Sequence, residues 1–250
     1  MPFAAFFDIL GTSRVFTGLA DDYRFEGDEW KYGNYAYARE EFHRGLEAAI
    51  DISQRGFVFQ ASFSDCAYLI YDDPAGFLLA TGAAMRWFYG CAPVRGGIGY
   101  GNFGLGTSVH SSSPRGTSAE ASFFGSALVR AHAAEACGLK GLRAFVHASA
   151  APLLSKLQGE DYVYPMLDYS ELEEGDRPPT LPATVVRLAS EPAGEVFNEL
   201  CFIGHDDTHD YLQRLEILQT RFPPDERARE HYEKSRETLY YFESLRHGTA

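Results

Sequence analysis

The chain has 250 residues, with 22 Lys and Arg against 35 Asp and Glu, a formal net charge of −13. That balance excludes a general nucleic-acid or anionic-membrane binder, since such binding needs a basic face to release counterions. Hydrophobic residues at 45% and charged residues at 23% are enough for a real core, in one large domain or one domain with an extension.

In chain order, residues 3–10 read as a first strand that ends at Gly11-Thr12-Ser13. After an irregular polar stretch, residues 37–53 form an amphipathic helix with Phe42, Leu46, Ala49 and Ile50 on one face. Gln54-Arg55-Gly56 ends it and leads to a second strand over 57–63. Ser64-Asp65 reads as a tight turn and 66–71 as a third strand, which makes a hairpin with Asp65 at or near its tip. Asp72-Asp73-Pro74 caps a helix over 75–89, and residues 93–101 form a glycine-rich fourth strand. The Gly- and Ser-rich segment 102–118 is expected to be a loop, 122–136 a helix and 144–147 a short strand. The order βαββαβ, then α and β, predicts a ferredoxin-like α+β sheet with helices on one face. Composition shifts at Asp176, where Asp176-Arg177-Pro178-Pro179-Thr180-Leu181-Pro182 resembles a linker. The division is therefore 1–175 for the main domain and 176–250 for a linker and helical C-terminal extension, with helices near 206–220 and 224–246.

Two aspartates interrupt otherwise apolar strand-like runs: Asp8 in Phe6-Phe7-Asp8-Ile9-Leu10, and Asp65 in Phe63-Ser64-Asp65-Cys66-Ala67. A buried isolated charge costs several kcal/mol or more, so such groups are neutralised, paired or bound to metal. Apart from Arg14, no Lys or Arg is close in sequence to either one. Two such carboxylates point to divalent metal ions and a phosphate substrate. Each residue also has an ordinary reading, Asp8 as a cap of the Gly-Thr-Ser turn and Asp65 as a hairpin residue.

The segments 7–13, the hairpin Phe63-Ser64-Asp65, Arg95-Gly96-Gly97-Ile98-Gly99-Tyr100-Gly101 and residues 125–131 follow one another in an order that resembles class III nucleotidyl cyclases over roughly residues 3–147. The resemblance implies that Asp8 and Asp65 hold two Mn2+ or Mg2+ ions, that Ile9 lends a backbone carbonyl, and that Leu10, Gly11, Thr12 and Ser13 cradle a triphosphate. The departures matter as much. Where purine cyclases carry a base-reading Lys this chain has Ala61, and the partner position falls on Ser122. The usual transition-state Asn and Arg positions fall on Val129 and Ala133. This combination resembles the bacterial Pycsar pyrimidine cyclases of antiphage defence. It implies a homodimer with sites at its interface that converts UTP, or as second choice CTP, to cyclic UMP or cyclic CMP. Arg95 is a candidate phosphate contact and Phe59 a candidate base-stacking ring. The alternatives are an adenylate or guanylate cyclase, or a degenerate nucleotide-binding module of the same fold.

Other patterns carry less. Gly99-Tyr100-Gly101-Asn102-Phe103-Gly104 matches GxGxxG, but the residues that follow offer no helix N-terminus for a pyrophosphate. His205-Asp206-Asp207-Thr208-His209-Asp210 reads as a helix N-cap with favourable first-turn acids, with a phosphohydrolase metal site as its alternative. Cys66, Cys91, Cys137 and Cys201 are widely spaced without CxxC, which fits reduced thiols rather than disulfides or zinc. No basic leader and no apolar run near ~20 residues is evident, so a soluble cytoplasmic protein is expected, with neither a membrane nor a nucleic acid among its partners.

Overall fold

A computed structural model describes residues 1–10, 23–26, 29–32, 34–63, 65–113, 116–157, 184–187, 198–201, 208–224 and 226–246. The triphosphate-cradle residues Gly11, Thr12 and Ser13, the 176–182 linker and His205 to Asp207 lie outside them.

The centre of the molecule is β1 (Phe3–Ile9), flanked antiparallel by β5 (Cys66–Tyr71) on one side and β6 (Val94–Tyr100) on the other. β4 (Phe57–Ser62) pairs outside β5, and β9 (Ala144–Val146) runs parallel to β6. Short strands β10 (Thr184–Arg187) and β11 (Asn198–Cys201) extend the sheet to the order β10-β11-β9-β6-β1-β5-β4. With α1 (Asn34–Ile52) after β1 and α2 (Pro74–Cys91) after β5, the β6-β1-β5-β4 core is the ferredoxin-like βαββαβ unit expected from sequence. Asp73 caps α2 as predicted, its carboxylate accepting from the Gly76 amide at 2.7 Å.

Three expectations are corrected. The polar stretch before α1 contains a hairpin of β2 (Tyr23–Glu26) and β3 (Glu29–Tyr32). The expected loop over 102–118 is a long hairpin of β7 (Gly104–Ser113) and β8 (Gly116–Phe124). Gly and Ser weaken the hydrophobic alternation that marks strands, and the cross-strand ladder supplies what composition hides. The helices also occupy both faces of the sheet rather than one. On β1, Phe3, Ala5, Phe7 and Ile9 enter a core with Phe42 and Leu46 of α1 and Phe77, Met85 and Phe88 of α2. Ala4 and Phe6 face the other way, into a second cluster with Ala127, Leu128 and Ala131 of α3 (Ser126–Glu135). The period-2 alternation of one strand thus feeds two cores.

The glycines of β6 set how α3 packs. A Cβ on Gly99 would stand 2.5 Å from the Ala127 carbonyl oxygen and the Ala131 amide nitrogen, and one on Gly97 would stand 2.9 Å from the Glu135 Cβ. The helix backbone therefore lies directly on the strand, an approach that only glycine permits. Gly125, at φ +142°, turns the chain from β8 into this helix.

After α4 (Ala151–Leu157), the C-terminal helices α5 (Thr208–Arg221) and α6 (Glu226–Arg246) join the main core. Tyr211, Leu215 and Leu218 of α5 and Tyr232 and Leu239 of α6 are buried in the same cluster as Phe7 and Phe88. The two helices are thus part of the body that carries β1. Among the described residues no helix is long and apolar enough to cross a membrane.

Substituting Gly97→Ala should destabilise the fold by about 1–3 kcal/mol, because the added methyl forces α3 off the sheet. Gly90→Ala, whose new Cβ would meet nothing nearer than 3.8 Å, should be neutral or gain up to about 1 kcal/mol. Urea unfolding of both variants checks this pair.

Candidate functional site

Asp8 is the only charged residue of β1, and it faces the α3 side of the sheet with Ala4 and Phe6. Its cross-strand neighbours are Cys66 on β5 and Arg95 on β6. One residue on, the Ile9 amide donates to the Asp65 carbonyl oxygen at 2.9 Å, and the Leu10 amide donates to the Pro93 carbonyl at 2.8 Å. The first of these bonds fastens the β4–β5 turn to the end of β1. Phe63 N–H, donating to the Cys66 carbonyl at 2.7 Å, closes that turn around Asp65. The two aspartates picked out in the sequence are therefore neighbours at one end of the central strand pair.

The electrostatics follow from this placement. Burial pushes the Asp8 carboxyl up to about 7, the Glu135 and Asp65 carboxylates push in the same direction, and Arg95 opposes them. Burial likewise raises the Cys66 thiol to about 11, with Asp65 and Asp8 adding to the effect, so this sulfur is held as a neutral thiol in the metal-free protein. Glu135, at the C-terminal end of α3, is a third carboxylate that the sequence reading did not single out. Its signal was present: Ala127, Ala131 and Glu135 recur every four residues, matching Gly99 and Gly97 on the strand beneath.

Arg95 lies beside Asp8 but is bound elsewhere. It is 8% exposed, and its Nη2 donates to the Glu135 backbone carbonyl while Nη1 stands 3.5 Å from the Glu135 carboxylate. Its guanidinium also lies 5.5 Å from the centre of the Phe145 ring. Burial lowers its proton affinity and Glu135 offsets this only in part. The role expected from sequence, a direct reach to phosphate, has to compete with this anchorage.

Phe59 shares the sheet face of Asp8, in an aromatic cluster. Its ring centre is 5.6 Å from those of Phe103 and Phe123, and Phe123 also meets Phe63 at 5.9 Å and Tyr68 at 5.8 Å. Phe59 is half-buried there, and Phe63 is 47% exposed. Leu10 is partly buried against the main core. Ala61 pairs with Tyr68 across the β4–β5 hairpin, and the Ser122 hydroxyl donates to the Gly106 carbonyl at 3.3 Å. Val129 is 69% exposed on α3 and Ala133 is exposed on the same helix.

The GxGxxG segment runs from β6 into β7 with no helix at its end. The Asn102 carbonyl accepts from the Ala127 amide at 3.1 Å, capping α3 from this segment instead. In the acidic C-terminal cluster, His209 meets Gln213 at 2.9 Å and Asp210 pairs with Arg214 at 2.8 Å, as on a solvated helix face. Among the described residues no group of three or more His, Cys, Asp or Glu side chains is gathered as for a protein-only metal cage. Two carboxylates fit instead a cation that takes its remaining oxygens from backbone and a phosphate ligand, as Mg2+ does.

The sequence matches no protein-family model and no curated protein. Solved structures align over most of the chain at low similarity. A bacterial light-regulated adenylyl cyclase shares 11% identity over 88% of this chain and 97% of that one, with a TM-score of 0.46. The guanylyl cyclase Cya2 shares 13% identity over 82% and 94%, with a TM-score of 0.43. A Trypanosoma brucei adenylate cyclase in its monomeric state shares 13% identity over 80% and 87%, with a TM-score of 0.43.

The elevated Asp8 carboxyl makes the metal-free protein pH-sensitive. Between the unfolded value near 3.8 and the folded value near 7, the native state holds a proton that the unfolded state has lost. Stability should therefore fall as pH rises through that window, by at most a few kcal/mol, and level off above it. Asp8→Asn should flatten the fall, as read by thermal melts in chelator from pH 4 to 8.

Proposed function

We propose that the chain is a pyrimidine nucleotide cyclase, taking UTP first and CTP second to the 3′,5′-cyclic monophosphate and pyrophosphate. The observation that carries this reading is the convergence of Asp8 and Asp65 at the end of β1, locked by the Ile9-to-Asp65 backbone bond. Two carboxylates whose charges oppose one another, with the neighbouring Arg95 already engaged by Glu135, would suit Mn2+ or Mg2+. Divalent ions held there would lower the pKa of a 3′ hydroxyl and offset charge on a departing pyrophosphate. Asp8 and Asp65 would hold them, with the Ile9 carbonyl as a further oxygen. Leu10, Gly11, Thr12 and Ser13, which follow β1 in the sequence, are the proposed triphosphate cradle.

In the reaction the 3′ oxygen bonds to the α-phosphorus and the bond from that phosphorus to the pyrophosphate oxygen breaks. The 3′ proton leaves to solvent. The base preference rests on what is missing: Ala61 has no amine and Val129 no amide with which to grip a purine edge or the transferred phosphoryl group. The half-buried Phe59 ring, backed by Phe103 and Phe123, would stack on a small base. By its resemblance to the Pycsar enzymes, the product would be a second messenger of antiphage defence made in the cytoplasm.

A homodimer completes the proposal. Phe63 after β4, Leu105 and Phe124 of the β7–β8 hairpin and Val129 of α3 stand 47%, 53%, 61% and 69% exposed. Apolar side chains so placed suit an interface.

Incubating the protein with Mn2+ and each of four NTPs, with products identified by mass spectrometry, should yield cyclic UMP or cyclic CMP. Asp8→Ala should abolish the product at least a thousandfold, whereas His209→Ala should leave it intact; the reverse pattern would refute the assignment. Val129→Glu should shift the protein to monomer in sedimentation and reduce turnover at least tenfold, while Mn2+ binding by Asp8 and Asp65 within one protomer persists.

A further inference from the structure

Between α6 and the candidate metal site runs a continuous set of buried contacts that neither the βαββαβ core nor the proposed chemistry requires. Three polar residues of α6, His231, Ser235 and Thr238, are 6%, 0% and 5% exposed and lie on one stripe of the helix. His231 Nδ1 accepts from the Gly141 amide at 3.2 Å, and Ser235 Oγ accepts from the Leu142 amide at 2.7 Å. Thr238 Oγ1 accepts from Arg143 Nη1 at 2.7 Å. The hydroxyls of Ser235 and Thr238 donate back to the carbonyls of His231 and Lys234, at 2.7 and 2.8 Å, which points their lone pairs outward at the 141–143 segment.

Arg143 carries the contact inward by two routes. Its backbone carbonyl accepts from the Gly96 amide at 3.0 Å, next to Arg95. Its guanidinium lies 4.9 Å from the centre of the Phe145 ring, against which Arg95 lies at 5.5 Å. Two buried cations against one ring repel each other, so each needs its own anchor: Thr238 is one for Arg143, and Glu135 is the anchor of Arg95. Arg95 in turn stands opposite Asp8 in the strand register.

We propose that Thr238 and Arg143 are positioning residues for the metal site, fixing Arg95 and Glu135 so that Asp8 and Asp65 are held in a cation-binding arrangement. Neither touches substrate or metal. The role follows from the geometry: if Thr238 lets go, the Arg143 guanidinium loses a buried anchor and can shift against the Phe145 ring and the neighbouring Arg95. Arg95 can then leave Glu135, moving charge within the site. The metal part of this proposal rests on the reading of Asp8 and Asp65 given above; the mechanical part does not.

The experiment uses the full chain with Thr238→Val, which removes the hydroxyl at constant shape, Thr238→Ser, which restores it, and Arg143→Met. Far-ultraviolet circular dichroism establishes that each variant is folded. Amide hydrogen exchange on metal-free protein then reads the junction. In Thr238→Val, exchange at Gly96 and Leu142 should quicken at least tenfold while the α1 amides stay unchanged, and Thr238→Ser should behave as the parent. Mn2+ titration by calorimetry should show threefold to tenfold weaker binding in Thr238→Val and Arg143→Met, restored in Thr238→Ser. Unchanged exchange at Gly96, or Mn2+ affinity within twofold of the parent in both Thr238→Val and Arg143→Met, would overturn the proposal. A parent protein that binds no Mn2+ would instead overturn the metal reading of the site and with it the metal part here, leaving the exchange result to decide the mechanical link.

Discussion

The closeness of α3 to β6 is the constraint on which the rest of this structure depends. Without side chains at Gly97 and Gly99, the helix backbone comes down onto the strand and the Glu135 end of the helix is brought over Arg95. A buried guanidinium could not otherwise be held there, since an unpaired charge in that position would cost several kcal/mol. With Glu135 in place, Arg95 is shared between that carboxylate and Asp8, whose charge it offsets only in part. The raised Asp8 carboxyl is thus a consequence of helix packing, through burial and Glu135, as much as of Asp65. Arg95 Nε, buried without a hydrogen-bond partner among the described residues, shows that the guanidinium has not spent its full donor capacity on Glu135.

Much of this was legible in the sequence, and the limits have physical causes. Strong periodicity located β1, β4, β5, α1 and α2 to within a few residues, because each has a clear apolar face. The two aspartates stood out because a charge inside a strand is costly wherever the strand is buried. The β7–β8 hairpin was hidden, since Gly and Ser carry little intrinsic strand preference and its ladder is a cross-strand property. The second helical face was hidden for a related reason. Gly97 and Gly99 look like loop residues in one dimension and become a docking groove only when α3 is laid across them. Glu135 is forty residues from Arg95, and the small-residue spacing that unites them has meaning only as a pair of matched elements.

The same reasoning explains the C-terminal helices. Read along the chain, a Pro-rich, charged stretch followed by two amphipathic helices suggests an appendage. In space, α5 places Tyr211 edge-on against Tyr89 of α2, 5.4 Å between ring centres, and α6 contributes Tyr232 and Leu239 to the common core. The α6 residues that are polar yet fully buried make sense only against the bare amides of Gly141 and Leu142, which have no strand partner at that point before β9 begins. A buried polar row is tolerated where each member meets a donor that would otherwise go unsatisfied.

The two faces of the sheet therefore do different work. The α1–α2 face is dominated by large side chains, with Phe42 stacked on Phe88 at 5.2 Å and Phe7 edge-on to the same ring at 5.5 Å. Packing of that kind gives up little without a large penalty, and it fixes β1. The α3 face is built from glycine and alanine in close helix-to-strand contact, a buried ion pair and a partly exposed aromatic cluster. Placing Asp8 on the second face sets the ionisable group on a strand that the first face holds in place. The alternation of a single strand supplies both faces, so the ionisable group and the large-ring core are positioned by the same seven residues.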